Sequence, residues 1–233
     1  MNTLGIIGGM SPESTVSYYR DINRIINRVQ GGNTSAPILL YSVEFETIAQ
    51  CQRNGDWAQA GQILAAAART LEQAGAQALI LATNTMHKVA ADIEQAVSVP
   101  LLHILDGTAA AVHAAGLQRV AVLGTRFTMH DNFYRDGLAQ RGLTMLVPDE
   151  TAQDEIHRII FDELCIGDIR PASRAYYQNI IQQLHQQGAQ GVILGCTEIG
   201  LLLHPDDSPL PLFDTAALHA RAAADYILFG KAA

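Results

Sequence analysis

Residues 75–83 read Gly-Ala-Gln-Ala-Leu-Ile-Leu-Ala-Thr, and residues 188–196 read Gly-Ala-Gln-Gly-Val-Ile-Leu-Gly-Cys. The two stretches align without a gap, 113 residues apart. A second match joins residues 5–9 (Gly-Ile-Ile-Gly-Gly) to residues 121–125 (Ala-Val-Leu-Gly-Thr), 116 residues apart. Two matches in the same order at nearly the same spacing predict an internal repeat, in which each half has the size of a small domain.

Short apolar runs alternate with longer amphipathic runs along the whole chain. Nearly continuous apolar runs are typical of strands that are buried on both faces of a parallel sheet. The predicted strands are residues 4–8, 37–43, 78–82, 100–104, 120–124, 143–147, 192–195 and 210–213. Residues 57–74 and 172–187 have helical spacing, and Ser11-Pro12 predicts the start of the first helix. This alternation indicates an α/β fold built from two similar halves.

The composition restricts the classes of function. The 233 residues are 48% hydrophobic and 16% charged, with a formal net charge of −8, so there is no basic surface for nucleic acid. The first apolar run is short and lacks a basic flank, and no run reaches membrane-spanning length. The three cysteines show no disulfide or metal spacing. We therefore expect a cytoplasmic protein whose partners include neither nucleic acid nor membrane.

Two of the repeated positions suggest chemistry. Ligands of open α/β sheets bind beyond the carboxyl ends of the strands, and pseudo-symmetric lobes would bring Thr83 and Cys196 to opposite sides of one cleft. Inverting a stereocentre requires a proton to leave one face and another to reach the opposite face. A thiolate is a suitable base, with an unperturbed thiol pKa near 8.5, and we expect backbone N–H groups after the strand to favour it.

Simpler interpretations exist for several of these residues. A lone cysteine such as Cys196 is often a small buried apolar residue. Cys51 and Cys165 are predicted to be packing residues, and His87 is predicted to be solvated at the start of a helix. The glycines at positions 8 and 9 lack the spacing of a dinucleotide-binding loop, which disfavours a nucleotide-binding module.

Three motifs resemble those of the cofactor-independent aspartate/glutamate racemases. They are residues 4–11 (Leu-Gly-Ile-Ile-Gly-Gly-Met-Ser), 83–87 (Thr-Asn-Thr-Met-His) and 195–200 (Gly-Cys-Thr-Glu-Ile-Gly). The resemblance extends over essentially the whole chain. Residues 163–165 (Glu-Leu-Cys) and 173–177 (Ser-Arg-Ala-Tyr-Tyr) make it greatest to the enterobacterial L-aspartate/glutamate-specific type.

The resemblance implies two pseudo-symmetric Rossmann-like lobes with parallel sheets and an active-site cleft between them. The first lobe is expected at residues 1–98, joined by the C-terminal segment 214–233, and the second at residues 99–213. A homodimer that racemises an acidic amino acid with no cofactor and no metal is also implied.

The resemblance also assigns site residues. Cys196 is expected to be the main acid/base, acting on the L enantiomer. Thr83 departs from the family pattern, which has a second cysteine there, so we expect Thr83 or a water that it holds to complete the inversion. The expected substrate-binding residues are Met10, Gln52, Asn84, Thr85, Thr125 and Thr197. Arg53 and Arg126 lie near the right loops for a distal carboxylate, but the choice between aspartate, glutamate and other amino acids stays open.

Two alternatives follow from the single cysteine. One is a decarboxylase or isomerase of the same superfamily that uses only Cys196, which would release carbon dioxide from a malonate without inverting an amino acid. The other is a catalytically degenerate amino-acid-binding protein. That protein would be stabilised by its ligand without exchanging the α-proton.

Overall fold

Two four-stranded parallel sheets organise the computed structural model, which describes residues 1–231. Their strand orders are β2-β1-β3-β4 and β6-β5-β7-β8, so the two sheets have the same topology. The strands are β1 Leu4–Gly8, β2 Ile38–Ser42, β3 Ala78–Leu81, β4 Leu101–Leu102, β5 Arg119–Gly124, β6 Thr144–Leu146, β7 Gly191–Gly195 and β8 Leu212–Asp214. All eight predicted strands are confirmed, and the strand predicted at 100–104 is shorter because a helix begins at Ile104.

Helices connect the parallel strands. They are α1 Pro12–Gln30, α2 Phe45–Asn54, α3 Trp57–Gln73, α4 Ala90–Ala96, α5 Ile104–Ala114, α6 Arg126–His130, α7 Asn132–Gln140, α8 Glu150–Asp162, α9 Pro171–Gln186, α10 Ile199–Leu202 and α11 Thr215–Phe229. Short 3₁₀ helices span Thr85–Val89, Leu164–Ile166 and Pro205–Asp207. The predicted start of α1 is confirmed, because the Ser11 side chain caps it and Pro12 is its first residue.

The chain divides into two compact units. The first contains Met1–Ile104 and the residues from His219 onward, and the second contains Leu105–Leu218. We expected the second lobe to begin at residue 99, but β4 pairs with β3 through Leu79 and Leu101, which places this strand in the first sheet. The C-terminal helix joins the first unit from His219, and not from residue 214 as we expected, and there the Asn2 N–H donates to the Ile227 carbonyl at 2.9 Å.

The central strands fix the ends at which functional residues lie. Strands β1, β3 and β7 are buried along their whole length, and β5 is buried after its first residue. In the first unit α1 covers the sheet with a face that includes Tyr18, Ile22 and Ile26, which are spaced by about one helical turn. In the second unit α8 does the same with Ile156 and Ile160. The strand ends are therefore held by cores on both faces of each sheet.

Within residues 1–231, no helix is both long and apolar enough to cross a membrane.

Candidate active site

Cys196 directly follows the end of β7 in the second unit. It is 7% exposed and belongs to the apolar cluster beside that sheet. Gly124 and Gly195 are register partners in β5 and β7, so Thr125 and Cys196 leave neighbouring strands at the same edge. The repeat predicted this position, and the structure puts the thiol at the carboxyl edge of the second sheet.

Glu198 contacts the thiol of Cys196. The Cys196 Sγ donates to Glu198 Oε2 at 3.0 Å, and the Thr197 hydroxyl donates to the same oxygen at 2.8 Å. The Glu198 side chain is 2% exposed. We predicted no role for Glu198 from the sequence. The available signal was an acidic residue two positions after a buried strand end, where a carboxylate is rarely buried without donors.

The electrostatic environment of Cys196 differs from our expectation. Burial raises the pKa of the thiol well above its usual value, and the Glu198 carboxylate raises it further. A backbone hydrogen bond from Glu198 lowers the pKa, but it is the weakest of the contributions. The predicted contribution of a backbone N–H group is therefore present, but desolvation and a nearby negative charge outweigh it, so the pKa of the thiol is raised and not lowered.

Two buried tyrosines lie close enough to Cys196 to respond to its charge. Burial raises the pKa of Tyr134 and of Tyr177, and a negative charge on Cys196 raises both further. Among the described residues the Tyr177 hydroxyl has no hydrogen-bond partner. Both phenols therefore stay protonated at neutral pH and surround the thiol with neutral groups.

Thr83 occupies the equivalent place in the first unit, just after β3. It is 7% exposed, and its carbonyl accepts a hydrogen bond of 2.8 Å from Nδ1 of His87. The other ring nitrogen of His87 accepts from the Ile104 N–H at 3.2 Å. One nitrogen that donates and one that accepts define a neutral imidazole.

His87 is buried, so the prediction of a solvated histidine is wrong. Its pKa lies well below the usual value because burial disfavours the charged ring, and His103 and His219 lower the pKa further. The ring fastens the loop after β3 to the start of α5. The missed signal was the spacing of four residues between Thr83 and His87, which suits a side chain that turns back onto a short helical segment.

The expected substrate-binding residues of the first unit are all buried. The Gln52 amide on α2 donates to the Met86 sulfur at 3.0 Å, and Met10 and Met86 belong to one apolar cluster. Asn84 and Thr85 lie beside Met86 in the loop and the 3₁₀ helix after Thr83. The first unit thus connects Met10, Gln52 and the loop after β3 through Met86.

Thr125 and Thr197 are the expected substrate-binding residues of the second unit, and both are buried. Thr125 caps α6, where its hydroxyl oxygen accepts from the Thr128 N–H at 3.3 Å. The Thr197 hydroxyl donates to Glu198. The hydroxyls of both residues therefore have structural hydrogen bonds that a substrate would have to share.

The two arginines considered for a distal carboxylate are engaged at the surface. Arg53 pairs with Glu46, and Arg126 pairs with Asp154 at 3.2 Å. Each arginine side chain is 57% exposed. In residues 1–231 no group of three or more His, Cys, Asp or Glu side chains is arranged to hold a metal ion.

Two α/β units with the same strand order, with a thiol and a hydroxyl just after equivalent strands, place the chain in the class of two-unit α/β proteins. Within that class, the chain belongs to the Asp/Glu/hydantoin racemase family, whose family model matches residues 7–223. The family makes this chain a racemase, an enzyme of the isomerase type.

Similar proteins agree with this family. The broad specificity amino-acid racemase RacX of Bacillus subtilis is 26% identical over 226 residues, which cover 94% of this chain and 95% of that protein. The structure of a candidate Asp/Glu racemase from Yersinia pestis has a TM-score of 0.91 and 50% identity, covering 98% of this chain and 100% of that one. An aspartate racemase homologue from Pyrococcus horikoshii has a TM-score of 0.83 and 34% identity, with coverage of 98% and 100%.

Proposed function

We propose that this chain racemises an acidic amino acid, aspartate or glutamate, without a cofactor and with a preference for the L enantiomer. Cys196 is the main acid/base, and Thr83, or a water that it holds, serves the other face of the α-carbon. The observation that carries the proposal is positional: Thr83 follows β3 and Cys196 follows β7, the equivalent strands of two sheets with one topology.

The proton balance explains the preference. From the L enantiomer, the Cys196 thiolate takes the α-proton, so a C–H bond breaks and an S–H bond forms. The carbanion then takes a proton from the hydroxyl or water at Thr83, which regains one from solvent. The reverse direction needs a base at Thr83, and a hydroxyl is a weak base near neutral pH. General acid–base groups contribute about 10²–10⁴-fold, so the missing second thiol lowers kcat in one direction. Because the equilibrium constant of a racemisation is one, KM changes with kcat, and kcat/KM stays equal in the two directions.

The substrate contacts belong to the same proposal. Met10 through its backbone, Gln52, Asn84 and Thr85 would bind from the first unit, and Thr125 and Thr197 from the second. The burial of all these side chains supports the assignment, since polar groups at a buried strand end have few uses other than capping or ligand binding.

We also propose a homodimer. The first unit exposes the large apolar side chains of Val16 and Tyr19 on α1 and of Leu40 and Tyr41 on β2. Strand β2 lies at the edge of its sheet, and an exposed apolar edge is a surface for association. Sedimentation velocity of the purified chain tests this point.

A cytoplasmic location is proposed as well, because all three cysteines are free thiols, as in reducing compartments.

The decisive experiment is chiral chromatography of L- and D-amino acids after incubation with the wild type and with Cys196→Ala. We expect Cys196→Ala to lower racemisation of the preferred substrate by at least about 10²–10⁴-fold, the range for an acid–base group. Cys51→Ala is the matched control, because it removes a buried thiol from the first unit and should leave the rate within a factor of a few.

Other outcomes would replace the proposal. Undiminished activity in Cys196→Ala would remove Cys196 from the mechanism. Carbon dioxide release from a malonate, with no inversion of any amino acid, would favour the single-cysteine decarboxylase. An amino acid that raises the Tm without any exchange of its α-proton in D₂O would favour the binding protein.

A further inference from the structure

The contact between Cys196 and Glu198 has the geometry of a thiol held in its protonated form. A single carboxylate oxygen, Glu198 Oε2, receives both the Cys196 thiol and the Thr197 hydroxyl. An oxygen that accepts two hydrogen bonds fits an ionised carboxylate, which has acceptor sites and no proton to donate. In this contact the sulfur is the donor and Glu198 the acceptor, so the hydrogen bond exists only while Cys196 keeps its proton.

We propose that Glu198 is a positioning residue that holds Cys196 as a thiol, so that the thiolate forms only when the negative charge of Glu198 is offset. This inference rests on the proposed function of Cys196 and goes beyond it, because it names the residue that decides when the thiol can act as a base.

The other groups around the thiol reinforce this effect. Among the described residues, Cys165 in the 3₁₀ helix Leu164–Ile166, Tyr134 on α7 and Tyr177 on α9 also interact electrostatically with Cys196. Burial raises the pKa of all three, so they are neutral near pH 7. Glu198 is therefore the negative charge next to the thiol that a single substitution can remove.

The arrangement has a chemical consequence for the resting enzyme. A thiol reacts with alkylating agents and oxidants through its thiolate, so a protonated Cys196 is unreactive. An amino-acid substrate brings a positively charged ammonium group beside its α-proton. Bound close to Glu198, that charge would oppose the effect of the carboxylate and make the thiolate accessible during the reaction.

The test compares the alkylation of Cys196 by iodoacetamide, in the absence of substrate, in the wild type and in Glu198→Gln. The reaction forms an S–C bond and releases iodide, and mass spectrometry of the Cys196 peptide measures its rate from pH 6 to 10. Glutamine keeps the size of the side chain and removes its charge. We expect the midpoint of the rate profile to move to lower pH, and the rate at neutral pH to rise several-fold.

Three further variants or readouts make the result decisive. Glu198→Asp keeps the charge and should return the profile toward the wild type. Glu150→Gln removes an exposed glutamate of α8 and should leave the profile unchanged. The same acid shift should appear in the pH profile of kcat for the L enantiomer.

An unchanged or alkaline-shifted alkylation profile in Glu198→Gln would overturn the inference. A loss of kcat without a shift would do the same, because it would indicate that Glu198 relays the proton. If Glu198→Gln does not fold, the wild type decides: a Cys196 that is alkylated faster at pH 7 than a small free thiol contradicts the proposal. Alkylation needs no turnover, so the inference can fail while Cys196→Ala still abolishes racemisation, and the reverse also holds.

Discussion

The ends of β3 and β7 occupy equivalent places in the two sheets but differ in their electrostatics. After β3, the neutral ring of His87 binds the carbonyl of Thr83. After β7, the carboxylate of Glu198 binds the thiol of Cys196. The repeat offset of 113 residues aligns His87 with Gly200. A side chain at Gly200 would require the Asp214 carboxylate to move, because a Cβ there would clash with Asp214 Oδ2.

The difference shows how a duplicated fold can divide a two-sided reaction. In the first unit the anchor holds the main chain and leaves the loop uncharged. In the second unit the anchor holds the reactive side chain itself and places a charge beside it. The repeat therefore places Thr83 and Cys196 at equivalent positions, while their hydrogen-bond partners give the two positions different charges. In the proposed mechanism this difference makes Cys196 the main acid/base.

The largest effect is expected when the two strand ends are made alike. Thr83→Cys places a thiol at both ends, so the slow direction gains a base that can ionise. We expect the D-to-L kcat to rise by about 10²-fold, at the low end of the acid–base range, and the kcat values of the two directions to become more even. Initial rates from each pure enantiomer, measured by chiral chromatography, test this.

Thr83→Ser is the matched control, because it keeps the hydroxyl and removes only a methyl group. It should preserve the asymmetry of the wild type. Equal changes of kcat in both directions for Thr83→Cys would mean that position 83 does not distinguish the two enantiomers. That result would break the comparison between the strand ends.

Much of the fold could be predicted because its signals are local. An apolar run such as residues 78–82 predicts a strand that is buried on both faces. The aligned stretches that end at Thr83 and Cys196 indicate the duplication. The sequence did not predict which of the two sheets contains β4. Its two residues pair with β3 in the first sheet, and a strand that short carries no information about which sheet it joins.

The site was only partly predictable for a physical reason. The position of Cys196 follows from the strand pattern, but the charge around it depends on where neighbouring side chains point. Glu198 could have faced solvent, as most glutamates do, and His87 could have been hydrated. Periodicity gives the face of an element and not the direction of one side chain in a loop, so both hydrogen bonds became visible only in three dimensions.

Two matched glycines probe how tightly each strand end is packed. A Cβ at Gly124, the last residue of β5, would lie 2.7 Å from the Gly195 carbonyl oxygen, immediately before Cys196. A Cβ at Gly8, the last residue of β1, would lie 2.6 Å from Cγ2 of Thr15. Backbone atoms move less easily than side-chain atoms. Gly124→Ala, which clashes with a carbonyl, should therefore destabilise the protein more than Gly8→Ala, which clashes with a methyl group.

Overpacking of this kind costs about 1–3 kcal/mol, and we expect Gly124→Ala near the upper end of that range. Urea denaturation followed by circular dichroism gives the two values. The Gly124→Ala variant should also lower the racemisation rate, because the displaced carbonyl carries Cys196 with it. A larger loss of stability in Gly8→Ala would show that the first unit, and not the second, has the tighter strand end.

The smallest effect concerns the neutrality of the His87 anchor. Its pKa is lowered in the folded chain, while an unfolded histidine titrates near pH 6.5. Below pH 6.5 the unfolded state binds a proton at His87 and the folded state does not. The free energy of unfolding therefore decreases as the pH falls below 6.5, and this contribution is fully present above that pH. One such proton gives a slope of at most about 1.4 kcal/mol per pH unit.

The His87→Gln variant has no titrating side chain at this position, so it lacks the pH dependence of stability that His87 causes. Although the glutamine side chain forms poorer hydrogen bonds and lowers stability at all pH values, the difference in stability between wild type and variant should shrink as the pH falls below 6.5. Urea titrations between pH 5 and 8 measure that difference, with His185→Gln as a matched control at an exposed histidine. A difference that grows toward acid pH would mean that the folded chain binds a proton at His87. Both strand ends would then carry a charge, and the contrast between a neutral and an ionised anchor would be lost.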